Sequence, residues 1–255
     1  MNELKVFKSI TEFNSFRKMI SPDVEIGFVP TMGALHDGHA SLLQKSYSEN
    51  DMTVLSIFVN PTQFNQTSDF TNYPKTWDED FKLAKKSNVD IILLPTYESI
   101  YPDQYRFKLI ESDFSKKLCG LNRTGHFDGV LTVVMKLLNI IRPSKAYFGE
   151  KDFQQFQLIK DMAASFFLLT EIIPCPTLRE DSGLAMSSRN LRLSNEGKHK
   201  AALIYKFIAE SKSSAEAFEK LTDNGFTVDY VEDYFKRRYV AASIEGIRLI
   251  DNVEI

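Results

Sequence analysis

The chain has 255 residues, 43% of them hydrophobic and 25% charged, and carries a formal net charge of −3. That balance is ordinary for a soluble globular protein able to build one large domain, or a major and a minor one. It has no long basic block, which argues against nucleic acid as a partner, and no apolar run near the ~20 residues of a membrane span.

Two cysteines, Cys119 and Cys175, are too few and too scattered for a disulfide framework or a zinc site. The first ten residues mix Glu3, Lys5 and Lys8 among apolar side chains and hold no signal-peptide core, so the expected compartment is cytoplasmic.

In chain order, Phe7, Ile10, Phe13, Phe16 and Met19 recur at every third position, which predicts an amphipathic helix. The β-forming run Ile26–Val29 reads as a strand. Pro30 and Gly33 break it, and Gly38 opens a helix over His39–Tyr47. A helix start offers unpaired N–H groups and the positive end of its dipole, which suits a phosphate chain. His36 and His39 sit three apart, so on a helical turn their rings point the same way. Two imidazoles so placed can stabilise charge on a transferring phosphoryl group. The same pair could instead ligate a metal, although no third ligand stands in an obvious pattern, or belong to a structural turn. His39 stands where a P-loop has its lysine, so Gly33–Gly38 is not that motif.

Met52–Val59 is a near-continuous apolar strand, as in a parallel sheet covered on both faces, and it ends at Asn60-Pro61 with Gln63 just beyond. Ligands of open α/β sheets bind beyond the carboxyl ends of strands, which places Gln63 near one. A helix over Asp78–Lys86 opens with Asp78, Glu79 and Asp80, read as a charged first turn or as help for Mg²⁺. Ile91–Leu94 is another strand, Leu121–Gly129 a turn-rich loop carrying Arg123 and His126, and Val130–Ile141 an apolar helix stopped by Pro143. Lys145–Phe148 is a short strand running into Gly149-Glu150-Lys151-Asp152, followed by a helix over Phe153–Phe167 and a last strand over Leu168–Pro174. This alternation predicts an α/β domain with a Rossmann-like, doubly wound parallel sheet over residues 1–176. Residues 177–255 predict a smaller C-terminal α+β domain, with a polar loop over Arg179–Arg192, helices over Asn195–Ser211 and Ser214–Asn224, and strands over Thr227–Val231 and Ile247–Ile250.

Gly149–Asp152 repeats the opening logic at a second strand-to-helix junction: the glycine admits a ligand to the backbone and Lys151 brings charge for phosphate. An ordinary helix start capped by Asp152 is the plainer reading of those residues alone. Gln154 and Gln155 diverge by about 100° on the helix, so only one can face a given ligand. Met186-Ser187-Ser188-Arg189 puts two hydroxyls and a guanidinium on a loop able to close over a triphosphate, or simply on solvated surface. Arg123 suits a carboxylate or a loop salt bridge, and His126 suits packing.

Four segments, PTMGALHDGH, FVNPTQF, GHFDGVLTVVMKLLNIIRP with FGEKDFQQ, and LAMSSRN, resemble the pantothenate synthetases (pantoate–β-alanine ligases). These belong to the nucleotidylyl transferase superfamily with H-x-G-H and degenerate K-M-S-K-S signatures. The closing RLIDN, Arg248–Asn252, is similar to the family's C-terminus, while the stretch after Val231 reads as shorter than the family's usual form. The resemblance implies ATP-dependent condensation of pantoate with β-alanine to pantothenate, AMP and pyrophosphate through a pantoyl adenylate, with Mg²⁺, in a homodimer. It implies an ATP site of Met32, Gly33, Ala34, Leu35, His36, Asp37, Gly38, His39, Gly149, Glu150, Lys151, Asp152, Leu178, Met186, Ser187, Ser188 and Arg189. Within it, His39, His36, Lys151, Ser187, Ser188 and Arg189 carry the chemistry, His39 in the family's proton-donor role. Gln63, Gln155 and Arg123 would bind pantoate and β-alanine. The alternatives are an enzyme of the same fold adenylating another small substrate, and a non-catalytic nucleotide-binding module.

Overall fold

The computed structural model describes residues 3–65 and 70–255. Six strands, β1 (Lys5–Phe7), β2 (Ile26–Thr31), β3 (Met52–Ile57), β4 (Ile91–Leu93), β5 (Lys145–Gly149) and β6 (Glu171–Cys175), form one sheet in the order β1-β4-β3-β2-β5-β6. All are parallel. Parallel neighbours require crossovers, and helices supply most of them. These are α1 (Ile10–Arg17), α2 (Asp37–Glu49), α3 (Trp77–Lys86), the short α4 (Tyr97–Ile100) and α5 (Cys119–Asn122), α6 (His126–Ile141) and α7 (Phe153–Ser165).

Successive strand residues point to opposite faces, and both faces are apolar. Phe28, Val54, Ile91 and Phe148 join the core with α1, α6 and α7, while Val29, Leu55, Ile92 and Tyr147 join the one with α2 and α3. Each such fully buried side chain contributes roughly 1.5–3 kcal/mol. The architecture is therefore α/β and Rossmann-like.

From β2 the chain steps outward through β3 to β4 on one side, then returns to add β5 and β6 on the other. Crossovers diverge between β2 and β5, and the gap beyond their carboxyl ends is where open α/β sheets bind ligands. The segments Met32–His39 and Gly149–Asp152 follow those two strands.

Several boundaries differ from the sequence reading, and those near the site have identifiable causes. Phe7 lies in β1, paired with Leu93, and α1 begins at Ile10 because the Ser9 hydroxyl caps it by accepting the Glu12 N–H at 3.3 Å. Met19 lies beyond that helix and is exposed. The long helix α6 begins at His126, so His126 and Gly129 are helical rather than in a loop. Gly129 disguised this start: a Cβ there would stand 2.5 Å from the Thr62 carbonyl oxygen, so close packing requires glycine inside the helix.

The remainder forms α8 (Asn195–Glu210), α9 (Ser214–Asp223) and an antiparallel sheet β7-β8-β9 of Thr227–Tyr234, Arg237–Ile244 and Ile247–Glu254. The sequence reading passed over β8. Its Val240 and Ala242 face α8 and α9, while Tyr239 and Ala241 join the core of the large sheet. A central strand covered on both faces shows no alternation, and Arg237-Arg238 looks like surface. Arg238 is in fact buried, bound to the Asp233 carboxylate at 2.9 and 3.1 Å and to the Ser211 carbonyl at 2.6 Å.

The small sheet docks on the β5–α7 junction. The Asn252 amide donates to the carbonyls of Glu150 (2.8 Å) and Lys151 (3.0 Å), and Arg237 pairs with the Glu150 carboxylate at 3.3 Å.

Candidate active site at the switch point of the sheet

The turn after β2 is held from outside. Asp80, fully buried on α3, accepts the Leu35 N–H at 2.7 Å, the Ala34 N–H at 3.1 Å and the Thr76 hydroxyl at 3.1 Å. Ala34 has a φ of 50°, a region costly for a residue with a Cβ, and these bonds hold it there. Asp80 is therefore a clamp on the histidine loop, neither a solvated first turn nor free for Mg²⁺. A sequence shows only the acidic run, in which Asp80 looks like Asp78 and Glu79.

His36 caps α2. Its Nδ1 accepts the Gly38 N–H at 3.1 Å, and Nδ1 of His39 accepts the His36 N–H at 3.3 Å. With both Nδ1 atoms accepting, each neutral ring carries its proton on Nε2. The ring centroids lie 4.1 Å apart. Burial, then the charge of Lys151, lowers His36 to about 4; burial, then His36, lowers His39 to about 3. Both are neutral imidazoles at pH 7, able to donate one hydrogen bond each.

These rings line an open cleft of about 1670 Å³. Met32, Gly38, Gln63 and Gln155 line it as well. Gly149, Lys151 and Asp152 face it from the second junction, and Leu178, Met186, Ser187, Ser188 and Arg189 from the smaller domain's side. Gly149 has an ordinary φ of −73°, and a Cβ there would meet no atom within 4 Å. Neither backbone nor packing asks for glycine, so the room it leaves belongs to the cleft. Asp152 makes no side-chain cap on α7 and lies 3.8 Å from the Lys151 ammonium.

Other expected residues lie off the cleft wall. Gly33, Ala34 and Leu35 form the clamped turn, Asp37 is exposed on the first turn of α2, and Glu150 turns to Arg237. The Ser187–Arg189 segment is not a free loop. Ser188–Arg192 is a 3₁₀ turn, and Asn190 beneath it is buried, its amide donating to the Ala185 carbonyl at 3.1 Å and to Glu180 at 3.2 Å.

The adjacent glutamines separate cleanly. Gln154 is buried, donating to the carbonyls of Phe114 and Lys117, both at 2.8 Å, and accepting the Cys119 N–H at 3.1 Å. Gln155 is the one facing the cleft. Gln63 is oriented by Asn60, whose buried amide donates to its Oε1 at 3.1 Å, while its own NH₂ points to Met32 Sδ at 3.2 Å. Asn60 also accepts the Tyr101 hydroxyl at 3.0 Å and donates to the Gly129 carbonyl at 3.2 Å, a tertiary role no sequence pattern announces.

His126 is buried. Its Nδ1–H donates to the Gln63 carbonyl at 2.8 Å, so its Nε2 accepts from Arg123 at 3.0 Å. Burial and then Arg123 lower it to about 3. It supports Arg123 rather than acting as a base.

Among the described residues no group of three His, Cys, Asp or Glu side chains could hold a metal ion. Among the described residues Asp152 is the carboxylate lining the large cleft, and Mg²⁺ ordinarily needs only one or two carboxylates beside phosphate oxygens and water.

Strand ends, helix starts, neutral imidazoles and one ammonium around a single cleft are the features of nucleotide-using α/β enzymes. A family model described as Pantoate-beta-alanine ligase matches residues 5–254, and the chain belongs to that family. Pantothenate synthetase of Bdellovibrio bacteriovorus is 55% identical over 251 residues, covering 98% of this chain and 99% of that protein. The enzyme of Coxiella burnetii is 48% identical over 249 residues, covering 98% and 96%. Against both, no shortening of the C-terminal domain is evident. A pantoate-beta-alanine ligase structure from Francisella tularensis, complexed with beta-gamma ATP and beta-alanine, superposes with a TM-score of 0.94 at 40% identity, covering 99% of this chain and 98% of that one. Pantothenate synthetase from Thermus thermophilus gives a TM-score of 0.88 at 34% identity, covering 98% and 99%. The chain is thus an ATP-binding ligase of pantothenate biosynthesis. No helix among the described residues is long and apolar enough to cross a membrane.

Proposed function

We propose that this chain joins pantoate to β-alanine in two steps at the cleft between β2 and β5. First a pantoate carboxylate oxygen attacks the α-phosphorus of ATP. The bond from that phosphorus to the bridging oxygen breaks, and pyrophosphate leaves with the electron pair. Then the β-alanine amine attacks the acyl carbon, the acyl–oxygen bond to AMP breaks, and the amine gives up a proton. A free carboxylate is a poor acyl donor; the adenylate supplies its leaving group.

Catalysis rests on positioning and charge stabilisation, with no covalent enzyme intermediate. Met32, His36, Gly38, His39, Gly149, Lys151, Asp152, Leu178 and Met186–Arg189 bind the nucleotide. His36, His39, Lys151, Ser187, Ser188 and Arg189 face the phosphates, and Gln63 and Gln155 hold pantoate. The neutral state of His39 favours a hydrogen-bond donor to developing phosphate charge over an imidazolium that surrenders its proton. Mg²⁺ would arrive with the phosphates and meet Asp152, where it would neutralise charge on pyrophosphate. We assign residues 1–176 to nucleotide and pantoate binding and 177–255 to a lid, in a cytoplasmic homodimer. The two helix starts and the Ser-Ser-Arg turn facing one cleft carry this reading.

The test is pyrophosphate exchange and AMP release from MgATP. Exchange should require pantoate alone, and AMP release should require both pantoate and β-alanine. Exchange indifferent to pantoate would overturn the assignment of the first substrate.

A further inference from the structure

The last strand of the small sheet meets both segments that carry phosphate-facing cations. Successive residues of a strand point to opposite faces. On β9, Leu249 and Val253 pack with α8 and α9, while Ile250 packs against the core of the large sheet. Asp251 and Asn252 continue that alternation. Both belong to the RLIDN stretch, which the nucleotide and pantoate sites proposed above do not use.

Asp251 holds the segment that leads into Ser187. Its buried carboxylate takes both terminal nitrogens of Arg179, at 2.6 and 2.9 Å. Arg179 also donates to the Gly183 carbonyl at 3.2 Å, and its guanidinium carbon lies 3.7 Å from the centre of the Tyr205 ring on α8. The chain around it is a tight ribbon, in which the Glu180 N–H donates to the Leu184 carbonyl at 2.8 Å and the Met186 N–H to the Leu178 carbonyl at 3.0 Å. Ser187 is the next residue, so this ribbon sets where the Ser187–Arg189 turn begins.

Asn252 holds the other segment. Its amide nitrogen donates to the carbonyls of Glu150 and Lys151 at 2.8 and 3.0 Å, and its oxygen accepts from Arg237 at 2.6 Å. The Asn252 N–H donates to the Asp251 carboxylate at 2.8 Å, which ties the two anchors to each other. A recess of about 320 Å³ is lined by Lys151, Ser187, Arg189, Asn190 and Asp251, so the two cationic segments stand against one space. Neither Asp251 nor Asn252 lines the large cleft itself.

We infer that Asp251 and Asn252 are positioning residues, which fix the spacing between Lys151 and the Ser187–Arg189 turn from a single strand. This rests on the nucleotide reading above. A triphosphate has a set length, so cations that meet it from two distant parts of the chain must stand at a matched separation. A misplacement of about 1 Å can cost on the order of 10²-fold in rate. Lys151 and Ser187 are far apart in sequence, and β9 gives them a common reference.

The test is pyrophosphate exchange with MgATP and pantoate in the full-length enzyme, read as two double-mutant cycles. Alone, Asn252→Ala and Asp251→Asn should each slow exchange roughly 10-fold, with the pantoate KM within about twofold. In a Lys151→Ala background Asn252→Ala should slow it by no more than about twofold further, because a lysine already gone cannot be misaligned. Asp251→Asn should behave likewise in an Arg189→Ala background. Rates are taken well below each variant's own unfolding midpoint, so that a less stable variant still reports. Asn252→Asp, which keeps the acceptor for Arg237 and removes the two donated bonds, reads the first cycle a second time without a change of size. Losses as large in the Lys151→Ala and Arg189→Ala backgrounds as in the wild type would belong to general packing and would overturn the inference. So would single variants that exchange at the wild-type rate and are slowed only once β-alanine is added. Lys151→Ala exchanging as fast as the wild type would instead take Lys151 off the phosphates and sink the nucleotide reading, and this inference with it.

Discussion

The β2–α2 junction and the small antiparallel sheet are built from polar groups of opposite kinds. At the junction the groups are neutral and fixed: backbone N–H groups, two imidazoles with Nδ1 already bonded, and Asp80 holding the turn from behind. At the sheet they are full charges on long side chains, Arg237 and Arg248, with carboxylates or thiol beside them. A neutral, preorganised wall suits charge that appears only in the transition state. Paired charges suit a joint, and Arg237 on Glu150 ties the small sheet to the β5–α7 junction.

The difference can be broken most sharply at the histidines. His39→Ala should slow adenylation by roughly 10²-fold or more, read as pyrophosphate exchange, because a placed donor disappears. A rate near wild type would remove His39 from the chemistry. Asp80→Ala should come next: with the Ala34 and Leu35 N–H groups unbonded, kcat should fall about 10-fold or more and stability by roughly 2–4 kcal/mol. Asp80→Asn, which keeps one acceptor, should recover part of the rate. Equal losses in the two variants would contradict a clamping role.

The glutamine pair sharpens the comparison by separating binding from folding. Gln155→Ala should raise the pantoate KM roughly 10-fold and leave unfolding almost unchanged. Gln154→Ala should do the reverse, costing about 1–3 kcal/mol of stability with KM near wild type, since its three bonds are to backbone.

Acid provides the smallest effect. In the unfolded chain His36, His39 and His126 charge near pH 6.5; in the fold they resist to about 4, 3 and 3. Below that unfolded value the unfolded state binds more protons, so stability falls as pH drops through 6.5 toward the folded midpoints. Ring-proton NMR should place the His36 and His39 midpoints near 4 and 3, and exchange should show no inflection from them between about pH 5 and 8. A midpoint near 6.5 for either ring would contradict its half-buried, neutral state.

The sequence made one of these regions readable and hid the other for physical reasons. Strand, turn and helix start at Ile26–Tyr47 are encoded by neighbours, so the two histidines could be placed on a helix N-terminus without a structure. The same holds for Gly149–Asp152, and the parallel sheet followed from alternating buried strands. Asp80, Asn60 and Arg248 act across long sequence separations, and residue type and spacing alone give them no role, although Asn60 and Arg248 fall in segments that resemble the family. β8 escaped because burial on both faces erases the two-residue period, and α6 started early because Gly129 looked like a breaker. Local signals found groups that line the cleft. The ones that hold them in place needed the fold.

Acyl activation and amide formation are, on this reading, separate events in one cleft. Rapid quench of a single turnover with MgATP and pantoate, β-alanine withheld, tests that claim most directly. The expected result is a burst of pyrophosphate matched by enzyme-bound pantoyl adenylate, with AMP appearing only after β-alanine is added. Pyrophosphate that appears only once β-alanine is present, together with AMP and with no trapped adenylate, would contradict it.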